Sequence, residues 1–409
     1  MSILLKNANL VDVCNKQTLL GFDLFIDKNR ICKIGRELRC EAEETYDLDG
    51  RWVMPGLINM HEHQSYKRLI GPLYGPSGAC TNLKGTDLGI RGVRTALFSL
   101  KCGITTICEM GSLCGLSYSM RSAIENGVIP GPRMFISGQH FTTTGGHAYE
   151  LAAEVDTPEE MVKAVRGTIK QGVDWIKLLC SHEPVVDGND GPICAEMSEE
   201  LISVAVTEAH ARQKKVAVHV MGELELQRVI NAGVDAVHHG AFLTLKQARQ
   251  MKEKGIAFVS TISAYRNTSS PAFERGEQWA RENLILRPGF ESALKNAMQA
   301  DVLIAPGTDS LGDLVDELIF MHRFGMGRME CLRSATLNGA QILGQEQYLG
   351  SLTEGKLADL VVLEADPSEN LENLRRVMWV MKDGLIYHLP NLSLEHMNPR
   401  WLLESAPMV

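Results

Sequence analysis

The sequence predicts an α/β fold: a closed (β/α)8 barrel of the TIM type, carrying a small β-sandwich built from the two ends of the chain. Three observations carry that expectation. A helix-like stretch that stops at a Gly and passes at once into a β-branched run occurs four times, as KCGITTI at Gly103, KQGVDWI at Gly172, NAGVDAV at Gly233 and EKGIAFV at Gly255. A Gly just past a helix end supplies a left-handed cap, and the apolar run after it suits a strand buried on both faces. Eight such apolar runs cross the centre of the chain, the number a closed barrel needs. No G-x-G-x-x-G turn follows the first of them, as a doubly wound sheet built around a phosphate cradle would require.

Taken in order, residues 1–55 are short strand-like pieces broken by the turn signals DKNR and DLDG, with no long helix between them. The barrel strands are then read at GLINMH (56–61), ITTICEM (104–110), RMFISG (133–138), WIKLL (175–179), VAVHV (216–220), DAVHH (235–239), IAFVST (256–261) and VLIAPG (302–307). Helical patterns fall at 157–171, 198–213, 222–232 and 311–323, and long loops at 64–85, 140–156, 181–197 and 263–289. After residue 350 the strand-and-turn character of the start returns in LTEGK and KDG. A β-sandwich domain of 1–55 plus 350–409 is therefore expected beside a barrel domain of 56–349.

Composition narrows the function. A chain of 409 residues with 44% hydrophobic and 22% charged residues buries a substantial core, so disorder is excluded as its working state. The formal charge of −9, with basic residues scattered, argues against a nucleic-acid partner. No run reaches the ~20 apolar residues of a membrane span, and the start MSILLKNANLVDV lacks a signal-peptide pattern, so a cytoplasmic protein with no membrane partner is expected. The ten cysteines include no C-x-x-C, and Cys32, Cys108 and Cys180 lie in apolar runs, which predicts reduced, buried thiols.

In such a barrel the chemistry sits at the C-terminal ends of the strands. Those ends carry His61-Glu62-His63, Lys177, His219, His238-His239 and Asp309. Alternate residues of a strand face the same way, so His61 and His63 can offer two imidazoles to one cation such as Zn2+. Lys177 interrupts an apolar run, where desolvation lowers an ammonium's pKa. A neutral amine there can capture carbon dioxide, giving an anionic carbamate able to bridge two cations. By the same alternation, one of His238 and His239 is expected to face the lumen and the other away from it. Asp309 is read either as the cap of the following helix or as a ligand and proton acceptor.

These residues, in this order, resemble the amidohydrolase superfamily over nearly the whole chain. The resemblance is carried by RWVMPGLINMHEH and by GSLTEGKLADLVVLEADP with VMWVMKDGLIY. It implies one or two divalent cations, Zn2+ among them: His61, His63 and Asp309 on the buried one, carbamylated Lys177 bridging, and His219 and His239 on the second. His239 is taken over His238 because it directly precedes Gly240. The motif TTTGGH, Lys177 and the spacing from His219 to Gly222 are similar to the branch of imidazolonepropionases and prolidase-like dipeptidases. That branch implies His147 as a further active-site group, with His140, His182, Met221 and Tyr265 as substrate contacts. Met221 stands where many prolidase-like members carry an aromatic or imidazole group, and GGHAYE replaces their GGHGD.

The resemblance thus implies attack of a metal-bound hydroxide on an amide-type C–N bond of a small molecule: a dipeptide, N-acyl amino acid, lactam or cyclic imide. A homo-oligomer is also expected. The alternatives are a deaminase of an aminated heterocycle, a lactonase, or a scaffold without activity. Deaminases of the superfamily lack a strand-four lysine ligand and place a Glu three residues after the strand-five His, whereas Glu223 lies four after His219. A scaffold has no use for a buried lysine among histidines.

Overall fold

The computed structural model describes residues 1–64, 85–182, 196–265, 276–310 and 312–388. The eight barrel strands run Leu57–Glu62, Ile104–Glu109, Arg133–Ile136, Trp175–Leu179, Lys215–Val220, Ala236–His239, Ala257–Ser260 and Ile304–Pro306. The first three pair in parallel, as do the fourth to eighth. Two seams close the barrel. At one, the backbone N–H groups of Thr308 and Asp309 both donate to the His61 carbonyl at 2.9 Å. At the other, the Asp174 N–H donates to Ile136 O at 2.8 Å.

The third strand is split. Its first part pairs with the second barrel strand, and a short continuation, His140–Thr142, pairs with the fourth, setting His140 opposite Lys177. Ala153–Glu154 adds a further two residues beside that continuation. The stretch 140–156, expected as a loop, is therefore partly sheet. Another correction falls on 263–289, where a 3-10 turn ends at Tyr265 and a helix, Gly276–Gln299, has already begun. Most of 64–85 and 181–197, with 266–275, lies outside the described residues.

Local rules explain the helices between the strands. Gly103, Gly172, Gly233 and Gly255 all have positive φ, between 71° and 89°, which costs a glycine nothing. At the helix starts, Thr157 and Thr244 close capping boxes with Glu160 and Gln247, and Ser198 accepts from the Leu201 amide. Asp313 caps the helix Leu314–Arg323, accepting from the Val315 and Asp316 amides, so Asp309 is not that helix's cap.

The chain ends meet through Trp52–Pro55 and Leu360–Leu363, which pair antiparallel and join the two segments into one eight-stranded sheet. That sheet closes over its own core, including Ile3, Leu5, Leu24, Ile26, Val53, Leu360 and Val362. Of the cysteines read as buried, Cys108 and Cys180 are, whereas Cys32 is exposed because it lies on the edge strand Arg30–Gly35. No helix among the described residues is long and apolar enough to cross a membrane.

The first seam yields a prediction. A Cβ on Gly307 would lie 2.5 Å from His61 Cβ and 3.0 Å from the His61 amide nitrogen, inside contact distance of a strand that cannot move alone. Gly307→Ala is expected to destabilise by about 1–3 kcal/mol, the usual cost of overpacking. Gly167→Ala, in a helix where an added Cβ meets nothing within 4 Å, should be neutral or stabilising. Thermal melts of the two variants check this, and equal melting temperatures would refute it.

Candidate metal centre

Strand alternation aims the first set of side chains. Trp175, Ala217 and Ala236 share one buried cluster, and two residues further along their strands come Lys177, His219 and His238, on the same face. Lys177 is 1% exposed, His219 3% and His238 0%, so all three are withheld from water. Asn59 then fixes the seam opposite. Its side-chain carbonyl accepts from the His61 and Thr308 amides at 3.2 Å, while its amide donates to Glu62 at 2.7 Å and to Thr308 Oγ1 at 2.8 Å. That staple holds His61 and Asp309 side by side.

The side chains converge. His63 Nε2 lies 3.1 Å from His61 Nε2 and 3.4 Å from Asp309 Oδ1. The ligand atoms of His61, His239 and Asp309 all fall within 4.8 Å of one another. The His219 and His239 rings sit 4.5 Å apart, and the His61 ring is 4.8 Å from His238 and 4.9 Å from His239.

Alternation misjudges one pair. His238 and His239 both turn to the centre, because His239 adopts φ +67° and the left-handed backbone reverses the direction its side chain would take in an extended strand. The following Gly240 is also at positive φ, and a Cβ there would meet the Phe258 ring at 2.5 Å. Asp309 shares the left-handed conformation at φ +51°, which an aspartate tolerates better than most residues.

Burial holds the imidazoles neutral. It drives His61, His219 and His238 well below the ordinary histidine pKa, and His140 and His239 down to about 3, with the neighbouring lysine and imidazoles adding to it or, at His239, with Asp309 opposing it. Burial likewise pulls Lys177 down to about 7 against the attraction of Asp309. For Asp309 burial pushes upward, but His63, His239 and the Ser310 amide outweigh it and keep the carboxyl below its usual range. The centre thus gathers buried imidazoles and a lysine of lowered pKa around one carboxylate.

That donor set fits divalent cations. The His63 Nδ1–H donates to the Gly111 carbonyl at 3.0 Å, which leaves Nε2 with its lone pair facing inward, and His239 Nδ1 is likewise engaged by Thr261 Oγ1 at 2.7 Å. Among the described residues, Lys177 Nζ, His219 Nε2 and His238 Nε2 are buried with no hydrogen-bond partner. Buried polar atoms left so are costly unless something else occupies their lone pairs.

Around this centre lie the other groups named from sequence. The His147 ring stacks on His219, 4.2 Å between centroids and 9° from parallel. His140 is buried beside Lys177. Tyr265 stands edge-on to His239, its ring 6.0 Å away. His182 turns to Glu196 at 2.7 Å. Met221 is fully buried, its amide donating to Ser181 Oγ. Glu223, the residue weighed for a deaminase shuttle, is exposed at the start of a helix. Sequence reasoning missed Asn59, although it lies within RWVMPGLINMHEH, and Thr261 and Glu196, which sit in no motif. It also missed Glu317, whose buried carboxylate accepts from Ser260 Oγ and the Ser263 amide and so anchors the segment bearing Thr261 and Tyr265.

Comparison with known proteins agrees with the geometry. A sequence model described as the amidohydrolase family matches residues 52–386. Ochratoxinase of Aspergillus niger is 30% identical over 375 residues, which cover 83% of this chain and 76% of the relative. A solved Xaa-Pro dipeptidase with methionine in its active site superposes with a TM-score of 0.86 at 29% identity, over 95% of this chain and 100% of that one. The solved A. niger ochratoxinase gives 0.83 at 25% identity, with 95% of each chain covered.

Proposed function

The chain belongs to the amidohydrolase family, and from that premise we propose that it hydrolyses the amide bond of a small carboxamide, a dipeptide or N-acyl amino acid, with Zn2+ as its metal. One observation carries the reading: a fully buried lysine amine, without a hydrogen-bond partner among the described residues, stands amid neutral imidazoles and one carboxylate. By their names the two relatives are an ochratoxinase and an Xaa-Pro dipeptidase, and the second name is why a carboxamide flanked by an amino-acid unit is placed ahead of lactams and cyclic imides.

His61, His63 and Asp309 would hold one cation, His219 and His239 a second, with Lys177 as the carbamate between them. His238, whose Nδ1 lies 2.8 Å from His61 Nδ1, orients the first set. Cations bound there would polarise the scissile carbonyl and acidify water enough for attack at neutral pH. Asp309, held ionised, takes the proton of the attacking water and returns it to the departing nitrogen, since it is the anion in reach of the donor set. His147, whose ring stacks on His219, would donate to the carbonyl oxygen as negative charge develops there. Because His61, Lys177, His219, His238 and His239 are buried, these interactions act in a lower effective dielectric than at the surface.

The test is a panel assay on zinc-loaded protein. Dipeptides, N-acyl amino acids, lactams, cyclic imides, lactones and aminated heterocycles are offered, and metal content is measured in parallel by elemental analysis. Expected are one to two equivalents of metal and release of an amine from a dipeptide or N-acyl amino acid. Removing the metal by chelation should abolish turnover and lower the melting temperature, since a ligand bound only to the native state stabilises it. Ammonia release confined to the heterocycles would move the chain to deamination.

A further inference from the structure

One buried carboxylate at the rim has no part in the chemistry above. The Glu196 side chain is 4% exposed. Both its oxygens accept from the His147 backbone N–H, at 2.8 and 3.0 Å, and its Oε1 lies 2.7 Å from His182 Nε2. The Glu196 amide in turn donates to Cys180 O at 3.3 Å, which ties the residue to the end of the strand that carries Lys177. The carboxylate therefore links that strand to the loop after the third.

The loop is shaped to receive it. Gly146 is not at positive φ, so its value there is room: a Cβ would sit 3.0 Å from Glu196 Oε2 and 2.5 Å from Thr142 Oγ1. The second glycine of TTTGGH is thereby explained as the gap through which a carboxylate reaches the next residue's amide. Hydrogen bonds to an ionised acceptor are shorter and about twice as strong as neutral ones, so this contact fixes the His147 backbone more firmly than a loop turn would. The His147 imidazole is consequently laid flat on His219.

We propose that Glu196 is the positioning residue for His147, with His182 bracing its far side, so that a His182–Glu196–His147 clamp sets where that imidazole stands over the centre. The proposal rests on the reading that His147 faces the scissile carbonyl. In this role Glu196 acts through the His147 backbone amide that it accepts from.

The experiment is Glu196→Gln in the full-length zinc-loaded protein, with His147→Ala and the double variant. Gln keeps the volume and one acceptor oxygen but gives up the charge. Expected are unchanged metal content, a kcat lower by roughly 10- to 100-fold, the scale seen when a group supporting a first ligand shell is lost, and a KM moved far less. The double variant should be no slower than His147→Ala alone, because two residues acting through one imidazole are not additive. Crystal structures of wild type and Glu196→Gln supply a readout without turnover: the His147 ring should leave the His219 face in the variant. If Glu196→Gln does not fold, His182→Gln, at the more exposed end of the clamp, takes its place with the same expected signs. Additive losses, or a His147 ring that stays on His219 with kcat intact, would overturn the proposal. If wild type turns over no carboxamide, the functional reading has failed, and the ring position alone decides the clamp.

Discussion

Replacing Lys177 by Ala is expected to strip the protein of metal and so to abolish turnover, a loss beyond the ~10²- to 10³-fold that follows removal of a single donor to transition-state charge. The cause is the amine's position. It sits fully buried, drawn down to about 7 by burial, beside Asp309 and the histidines. A lysine there that did nothing would be a pure loss, because an unpaired buried amine is costly to bury. Lys177→Met separates this role from stability. Methionine fills similar space without a polar atom, so the metal-free variant should melt no lower than metal-free wild type. If the bridging group is a carbamate, short carboxylic acids added to Lys177→Ala should restore part of the metal content and part of the rate. Normal metal content in either variant would remove Lys177 from the centre.

Asp309→Asn should fold, keep most of its metal and lose about 10²- to 10⁴-fold in kcat, the range attributed to a positioned proton-transfer group. Asparagine retains an oxygen for the Ser310 amide, which bonds Asp309 Oδ1 at 2.6 Å. It cannot take a proton. The His61 seam is also preserved, since the bond that closes it comes from the backbone of residue 309 rather than its side chain. A melt matching wild type with a flat, strongly reduced pH–rate profile is the expected pair of results. Turnover within a few-fold of wild type would show that another group carries the proton.

How much of this was legible in advance follows from which interactions are local. The glycine caps were readable because a positive-φ helix end depends on the few residues beside it, and the same holds for the His-x-His pair and for a lysine set in an apolar run. These features led to the barrel, to the rim and to most of the groups that meet there. The split third strand was not legible, since the pairing of His140–Thr142 with the fourth strand is a long-range choice.

By itself the sequence determined that imidazoles, one amine and one carboxylate lie at the ends of parallel strands, because periodicity and caps are written in neighbouring residues. Only the tertiary structure decided that His238 and His239 both face inward, that Asp313 rather than Asp309 caps the helix, and that Glu196 reaches the amide of His147. Each of those outcomes turns on a backbone angle or a contact set by packing between distant segments, as where Phe258 crowds Gly240 behind the left-handed His239, and alternation along one strand holds no information about that neighbour.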